Sequence, residues 1–210
     1  MSRRILCCLL LLLVTAAAAA PATPPVILVM GDSLSAGYGL HPGEGWVELL
    51  RQRLVARGYY YTVVNASVSG ETTSGGLTRL PQALEQNRPA VVILELGAND
   101  GLRGTPVKVM QDNLGRMIQL SRKAGAKVLL AGILLPPNYG QRFTQEFSAV
   151  YTGLAQRYHV SLLPFLLEGV AEQRQLMQAD GMHPVATAEP RVLDNVWPKL
   201  APLLGGPAAK

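Results

Sequence analysis

Three residues in this chain have the types that nucleophilic serine chemistry requires. Ser33 lies in VILVMGDSLSAGYG, directly after a run of apolar residues and a glycine. His183 lies near the other end of the chain in DGMHP, three residues after Asp180. This spacing in a turn lets the Asp180 carboxylate reach the Nδ1–H of the imidazole, which leaves Nε2 free to face a nucleophile. Together, these types and this spacing indicate acyl transfer as the chemistry to test.

Each of these segments also has an ordinary structural interpretation. The GDSL tetrapeptide is compatible with a strand, an Asx-type turn and a loop, and DGMHP with an Asx turn beside a helix that begins at a proline. The two remaining histidines fit the role of base less well. His41 lies in a loop of glycine and proline without a fixed acid nearby, although a helper role stays open. His159 lies between a helix and a strand, where we expect a partly buried structural histidine.

Acyl transfer also needs hydrogen-bond donors for the oxyanion, and two further segments contain suitable groups. Loss of one good donor costs about 3 kcal/mol of barrier. In NASVSGETT, Gly70 has no side chain to block approach to its N–H, and in LGAND the amide of Asn99 can donate without adding charge. Alternatively, Gly70 is a turn glycine, and Asn99 with Asp100 caps a helix. A serine, a glycine, an asparagine and an Asp–His pair in separate loops form a more specific pattern than any one of these motifs alone.

The elements that must position these residues alternate between short apolar runs and amphipathic segments. Strands are predicted at residues 26–30, 60–64, 90–96, 127–133 and 160–163, and helices at residues 46–57, 77–86, 107–123 and 144–158, the second of them interrupted near Pro81. Strands alternating with helices favour a parallel sheet with helices on both faces. Loops after the strands then gather at one edge of the sheet, where ligands bind in such folds.

The chain begins with MSRRILCCLLLLLVTAAAAAPA, which has the layout of a secretory signal peptide. Its uncharged run, residues 5–20, is 16 residues long, shorter than the ~20 apolar residues that a spanning helix prefers. We therefore expect a signal peptide over residues 1–21, one domain over residues 22–210, and a mature protein that is periplasmic or secreted. An uncleaved membrane anchor is the alternative.

Removal of the leader would change the composition of the chain. Both cysteines, Cys7 and Cys8, would be lost, and with them any disulfide, reactive thiol or cysteine metal site. Without Arg3 and Arg4, 17 of the 19 basic residues remain against 14 acidic residues, a net charge of +3. Because this charge is small and dispersed, we expect no nucleic-acid partner. The sequence shows no basic amphipathic helix of the kind that would indicate attachment to a membrane surface.

The segments GDSLS, NASVSGETT, LGAND and DGMHP resemble, in this order, the four sequence blocks of the SGNH (GDSL) hydrolases. The similarity covers nearly all of the mature chain and is greatest to the bacterial periplasmic thioesterase I, lysophospholipase and arylesterase group. It rests also on SAGYG, RLP, LGANDGLRG, LPPNYG, LLPF and MQADGMHP. The resemblance implies an α/β fold of the flavodoxin-like, three-layer α/β/α type. Its five-stranded parallel sheet would have the order 2-1-3-4-5.

The resemblance also implies roles for particular residues. Ser33 would be the nucleophile and His183 the base, with Asp180 orienting it. The backbone N–H groups of Ser33 and Gly70 and the side chain of Asn99 would form the oxyanion hole. Neither a metal ion nor an organic cofactor is implied. The expected activity is hydrolysis of carboxylic esters and thioesters, including aryl and alkyl esters, acyl thioesters and lysophospholipids, through an acyl-enzyme.

The sequence says less about the substrate. The loop over residues 134–139, which contains Pro137, Asn138 and Tyr139, could line an apolar groove for an acyl chain together with Leu102 and the 75–76 segment, although ordinary core and loop packing explains these residues equally well. A sugar O-acetyl esterase with the same site is one alternative function. A non-catalytic flavodoxin-like binding module, with the first loop holding phosphate, is another. We expect a small-molecule substrate and a monomer.

Overall fold

The structure is a computed structural model that describes residues 23–207. The predicted signal peptide at residues 1–21 lies outside the described residues. Within them, five strands form one parallel sheet in the order β2-β1-β3-β4-β5. The strands are β1 (Val26–Gly31), β2 (Thr62–Asn65), β3 (Val91–Glu95), β4 (Lys127–Ala131) and β5 (Ser161–Leu163). The predicted fold class and strand order are confirmed.

Helices cover both faces of this sheet. They are α1 (Ser33–Ala36), α2 (Trp46–Ala56), α3 (Thr73–Asn87), α4 (Ala98–Leu102), α5 (Val107–Lys123), α6 (Gln141–Tyr158) and α7 (Glu189–Leu200). Short 3₁₀ turns occur at Pro137–Tyr139, Arg174–Leu176, Ala186–Ala188 and Ala201–Leu203. Helix α2 packs against α7, and α5 packs against both α3 and α6. Apart from Glu95 at the end of β3, the central strands β1 and β3 are apolar, and all their residues after Val26 are buried, as in strands covered on both faces.

Helix α3 differs from its prediction, because it begins four residues earlier and continues through Pro81. A proline inside a helix removes one hydrogen bond and crowds the preceding turn. Here Leu80 and Leu84, on the same face of the helix, are buried in the core. Their packing holds the segment helical, so the predicted interruption is wrong.

Helix α7 was not predicted, although its apolar residues recur at helical spacing. Val192, Leu193, Val196 and Leu200 are buried against the sheet and α2. Glu189 and Pro190 at its start are typical of a first helical turn. Within residues 23–207, no helix is long and apolar enough to cross a membrane.

Candidate active site

The turn after β1 presents Ser33. Asp32 is fully buried and is the N-cap of α1, because its Oδ1 accepts a hydrogen bond from the Leu34 N–H at 3.1 Å. Ser33 is the first residue of that helix. A Cβ atom on Gly31 would lie 2.6 Å from Glu95 Oε2 and 2.7 Å from Ser35 Cβ, so only glycine allows this close approach. The serine is thereby held at the carboxyl end of the central strand.

Three predicted catalytic side chains form a continuous line of hydrogen bonds. His183 Nε2 lies 2.8 Å from Ser33 Oγ, and His183 Nδ1 lies 2.7 Å from Asp180 Oδ2. An ionised carboxylate only accepts hydrogen bonds, so the chemistry of the partners places the proton on Nδ1 and leaves Nε2 to accept from the serine. This arrangement can remove the hydroxyl proton as the oxygen attacks an electrophile.

Asp180 is held in its ionised form by its surroundings. Its partial burial on its own would raise the pKa, but hydrogen bonds from the N–H groups of Met182 (2.9 Å) and His183 (3.1 Å), together with the imidazole, outweigh that effect and lower the pKa of Asp180 to about 2. Its carboxylate therefore accepts from both the backbone and the ring of the residue it orients.

The predicted oxyanion donors lie beside Ser33. Gly70 follows β2 and has a φ of +79°, a left-handed conformation that favours glycine. Its carbonyl accepts a hydrogen bond from Arg103 Nη2 at 2.9 Å. Asn99 lies inside α4, and its Nδ2 donates to Asp32 Oδ2 at 3.2 Å. Ser33, Gly70, Asn99 and His183 line the same cavity, so four separate segments of the chain contribute to one site.

The alternative role for Asn99 as a helix cap is not what the structure has, because α4 begins at Ala98 with Gly97 as its N-cap. The neighbouring Asp100 contacts a different helix. Its carboxylate accepts from the Thr73 N–H at 2.8 Å and from the Thr73 hydroxyl at 2.6 Å. Asp100 therefore ties α4 to the first turn of α3 and supports the position of Asn99.

The two other histidines lie outside the site. His41 is exposed, does not line the cavity, and bonds through its N–H to Glu44. His159 is exposed rather than partly buried. It is the C-cap of α6, in a left-handed conformation with a φ of +49°, at the point where the chain leaves the helix towards β5.

The sequence placed Asp32 at the end of the first strand but did not reveal that its carboxyl group is buried, and it missed a second buried carboxyl group, that of Glu95. Glu95 Oε2 accepts from the Ser35 hydroxyl at 2.6 Å and from the Asp32 N–H at 3.3 Å. Burial raises the pKa of Glu95 well above its ordinary value, and the neighbouring Asp32 raises it further. Burial also raises the pKa of Asp32 to about 6, against the opposing effect of its hydrogen bonds and of His183. For Glu95 the sequence did carry a signal, because an acidic residue inside the apolar run AVVILELG indicates a buried carboxyl group.

An apolar cavity of about 520 Å³ opens beside the Ser33 hydroxyl. Leu102 lies in its wall, as predicted, but Asn138 and Tyr139 are not among the lining residues. The side chain of Pro137 is outside the part of the chain that the structure describes. The 75–76 segment is part of α3, where Gly76 faces Leu96 in the core. Only part of the predicted groove therefore lines the cavity, and the 75–76 segment is not part of it.

The wall is formed by two groups of residues, one from Ile133 through the first half of the predicted 134–139 loop and the other from the segment after β5. These are chiefly Ile133, Leu134, Leu135, Pro136, Phe165, Leu167, Ala171, Met177 and Met182. Sequence reasoning missed the second group because it lies in an irregular segment without apolar periodicity. Among residues 23–207, no cluster of three or more His, Cys, Asp or Glu side chains has an arrangement that could hold a metal ion.

Comparison of the sequence with known proteins identifies related proteins. The model of the GDSL-like lipase/acylhydrolase family matches residues 29–188. Esterase TesA of Pseudomonas aeruginosa is 55% identical over 178 residues, which cover 85% of this chain and 89% of that protein. Thioesterase 1/protease 1/lysophospholipase L1 of Escherichia coli is 43% identical over 178 residues, covering 85% and 84% of the two chains.

The fold comparison agrees with the sequence comparison. A crystal structure of TesA superimposes with a TM-score of 0.84 at 55% identity and covers 85% of this chain and 99% of the TesA chain. The relatives and the solved structure each cover 85% of this chain, and the family match spans residues 29–188. The chain therefore belongs to the GDSL-like lipase/acylhydrolase family.

Proposed function

We propose that this enzyme hydrolyses carboxylic esters and thioesters through an acyl-enzyme on Ser33, with His183 as base and Asp180 orienting it. One observation carries the proposal: Ser33 Oγ, both ring nitrogens of His183 and the Asp180 carboxylate are joined by hydrogen bonds of 2.8 and 2.7 Å. A non-catalytic binding module has no need for this arrangement. Relatives named esterase, arylesterase and thioesterase 1/lysophospholipase L1 support the same class of reaction.

The reaction has two parts, each with His183 moving one proton. Ser33 Oγ attacks the carbonyl carbon while Nε2 of His183 takes the hydroxyl proton. His183 then gives that proton to the leaving alcohol or thiol as the C–O or C–S bond breaks. A water molecule attacks the acyl-enzyme, its proton passes to His183, and the free acid leaves as the proton returns to Ser33. Asp180 stabilises the imidazolium that forms in each half.

The tetrahedral intermediate of each half carries a negative charge that needs hydrogen-bond donors. In this proposal the donors are the N–H groups of Ser33 and Gly70 and the amide of Asn99. The Ser33 N–H is in the first turn of α1, where helix geometry leaves donors without an intrahelical acceptor. Asp32 orients Asn99 by accepting one of its amide hydrogens, which leaves the other for the substrate.

The cavity favours an apolar acyl group. Its wall is mostly aliphatic and aromatic, with only a few polar side chains besides those of the reaction. A polyhydroxylated sugar needs several hydrogen-bonding partners when it is bound, so this wall supports acyl esters and thioesters rather than acetylated sugars. We therefore propose alkyl or aryl esters, acyl thioesters and lysophospholipids as the substrate class.

The direct test compares wild type with Ser33→Ala on p-nitrophenyl butyrate, a medium-chain acyl thioester and acetylated xylan. Ser33→Ala should abolish turnover of the first two, while Ser74→Ala, an exposed serine on α3, should keep it. Undiminished hydrolysis by Ser33→Ala would overturn the proposal. Faster release of acetate from xylan than of acid from the esters would instead favour the sugar esterase.

We also propose that residues 1–21 direct export and are removed, so that residues 22–210 act in the periplasm or outside the cell. The basic, apolar and small-residue regions of the leader support this. N-terminal sequencing of the protein from a periplasmic extract and from the medium tests it. A mature N-terminus near residue 22 is expected, whereas an intact N-terminus in the membrane fraction would show that the leader is an anchor.

A further inference from the structure

The proposed site joins residues from opposite ends of the chain. Ser33 and His183 are 150 residues apart in sequence, and they lie on different loops at the edge of the sheet. A hydrogen bond between a hydroxyl and an imidazole is too weak on its own to hold two loops at a fixed distance. Other contacts between the loop after Ser33 and the loop that contains His183 must therefore maintain that distance.

The side chain of Gln178 makes such a contact. Its Nε2 donates to the carbonyl oxygen of Tyr38 at 2.8 Å and to that of Pro184 at 2.9 Å. Both amide hydrogens are thus used, one on the loop after Ser33 and one on the residue that follows His183. Because both partners are carbonyl oxygens, only this orientation of the amide satisfies them.

Backbone hydrogen bonds extend this link to both catalytic residues. The N–H of Tyr38 donates to the carbonyl of Ser33 at 3.1 Å, and the N–H of Gln178 donates to the carbonyl of His183 at 2.7 Å. The rings of Tyr38 and His183 also pack together, with centroids 4.6 Å apart and planes inclined by 39°. A continuous series of contacts therefore runs from the backbone of Ser33 through Gln178 to the backbone of His183.

The loop after Ser33 is shaped to admit this side chain. Gly39 has a φ of +74°, and a Cβ atom there would lie 2.3 Å from Gln178 Oε1. No other residue type could keep this backbone so close to the amide. Gly39 and Gln178 thus fit each other, although neither contacts the Ser33 hydroxyl.

We infer that Gln178 is a positioning residue of the proposed active site, which holds the Ser33 loop and the His183 loop at the separation that the proton transfer requires. The inference rests on the proposed function. It predicts an effect on kcat rather than on substrate binding, because Gln178 is not among the residues that line the cavity. A misplacement of reacting groups by about 1 Å can cost about 10²-fold in rate.

The test uses Gln178→Met, which keeps the length of the side chain but cannot donate, and Gln178→Asn, which keeps the amide but cannot span both carbonyls. Gln173→Met is the matched control. Gln173 is on the same segment, and its Nε2 donates to the carbonyl of Gly169 at 2.7 Å without reaching the Ser33 loop. Turnover of p-nitrophenyl butyrate is measured per active site, counted by titration with a p-nitrophenyl phosphonate.

In both Gln178 variants, kcat per titrated site should fall about tenfold or more, because small displacements of Ser33 relative to His183 slow the reaction strongly. KM should change by about twofold or less. Their rate of reaction with the phosphonate should fall in parallel, and Gln173→Met should match wild type. A role in folding alone would lower the unfolding temperature and leave kcat per titrated site unchanged, and that result overturns the inference. If Gln178→Met does not fold, the result for Gln178→Asn decides.

Ser33→Ala separates this inference from the proposed function. If Ser33→Ala abolishes turnover while both Gln178 variants keep full kcat, only the role of Gln178 is wrong. If Ser33→Ala keeps turnover, the proposed function itself is wrong.

Discussion

Asn99 Nδ2 donates a hydrogen bond to Asp32 Oδ2 over 3.2 Å, although 67 residues separate the two in the chain. The other oxygen of the same carboxyl group caps the helix that presents Ser33. One buried side chain thus orients both the nucleophile turn and a proposed oxyanion donor. The position of the nucleophile and that of the donor are therefore coupled.

This coupling predicts that Asp32→Asn lowers kcat. The asparagine oxygen can still cap the Leu34 N–H, but its NH₂ group would then face the NH₂ group of Asn99, and two donors cannot bond to each other. We expect kcat to fall between about 10- and 10³-fold, approaching the loss of an oxyanion donor, with KM little changed. Steady-state kinetics with p-nitrophenyl butyrate measure this. Asp112→Asn, an exposed change on α5, is the control, and wild-type kcat in Asp32→Asn would contradict the coupling.

A second prediction concerns acid and Asp180. Its pKa is lowered from 3.8 to about 2 in the folded protein, so the folded state favours the carboxylate more than the unfolded state does. The stabilisation is complete above pH 4 and is lost as the pH falls towards 2. Asp180→Asn should therefore unfold at lower urea than wild type at pH 6, and the two midpoints should converge as the pH approaches 2. Midpoints that differ by the same amount at every pH would refute this.

A third prediction concerns Glu189, whose effect on the pH dependence of stability should be opposite to that of Asp180. It is buried at the start of α7 and accepts a hydrogen bond from the Trp46 N–H at 2.8 Å. Burial raises its pKa from 4.5 to about 7, against the effect of that hydrogen bond. The folded state therefore holds a proton that the unfolded state releases, and the contribution of Glu189 to stability falls as the pH rises from 4.5 to 7.

Glu189→Gln removes this titration and keeps an oxygen that accepts from Trp46. The unfolding temperature of the variant relative to wild type should rise between pH 5 and pH 8, because only wild type loses stability from this group. Thermal unfolding at four pH values in this range measures the difference. Glu146→Gln, at an exposed ion pair with Arg142, should show no such trend. A flat difference for Glu189→Gln would mean that its carboxyl group titrates normally.

A fourth prediction concerns the length of the acyl chain. Ala171 lines the cavity, and Ala171→Phe would occupy part of the space in which an acyl chain lies. Each methylene group displaced into water costs about 0.8 kcal/mol, or about fourfold in kcat/KM. The ratio of kcat/KM for decanoate over butyrate esters should fall accordingly, while butyrate turnover persists. Ala56→Phe, exposed at the end of α2, should keep the wild-type ratio, and an unchanged ratio in Ala171→Phe would place the acyl chain elsewhere.

Local sequence patterns predicted the elements whose signals are long or sharply bounded. Helix α5 was predicted over its observed range, 107–123, because its apolar face repeats over four turns and Gly125 follows it. Strands β1 and β3 were predicted because each is an apolar run closed by a glycine. The order of the strands came from the family resemblance. Helix α3 was predicted to begin after the glycines at 75–76, which favour a loop, and to be interrupted near Pro81, because the cost of a proline was weighed without the core packing of Leu80 and Leu84.

The sequence by itself determined which side chains had the chemistry of acyl transfer. The types of Ser33, Asp180 and His183, and the three-residue spacing of the last two, are local properties that a chain shows without being folded. Only the tertiary structure decided what surrounds them. The cavity wall from the segment after β5 and the contact of Gln178 with Tyr38 depend on where that irregular segment lies, and the burial of Asp32 and Glu95 depends on the packing of β1, β3 and α1. Contacts between residues 140 positions apart arise from packing of the whole chain, and no local pattern encodes them.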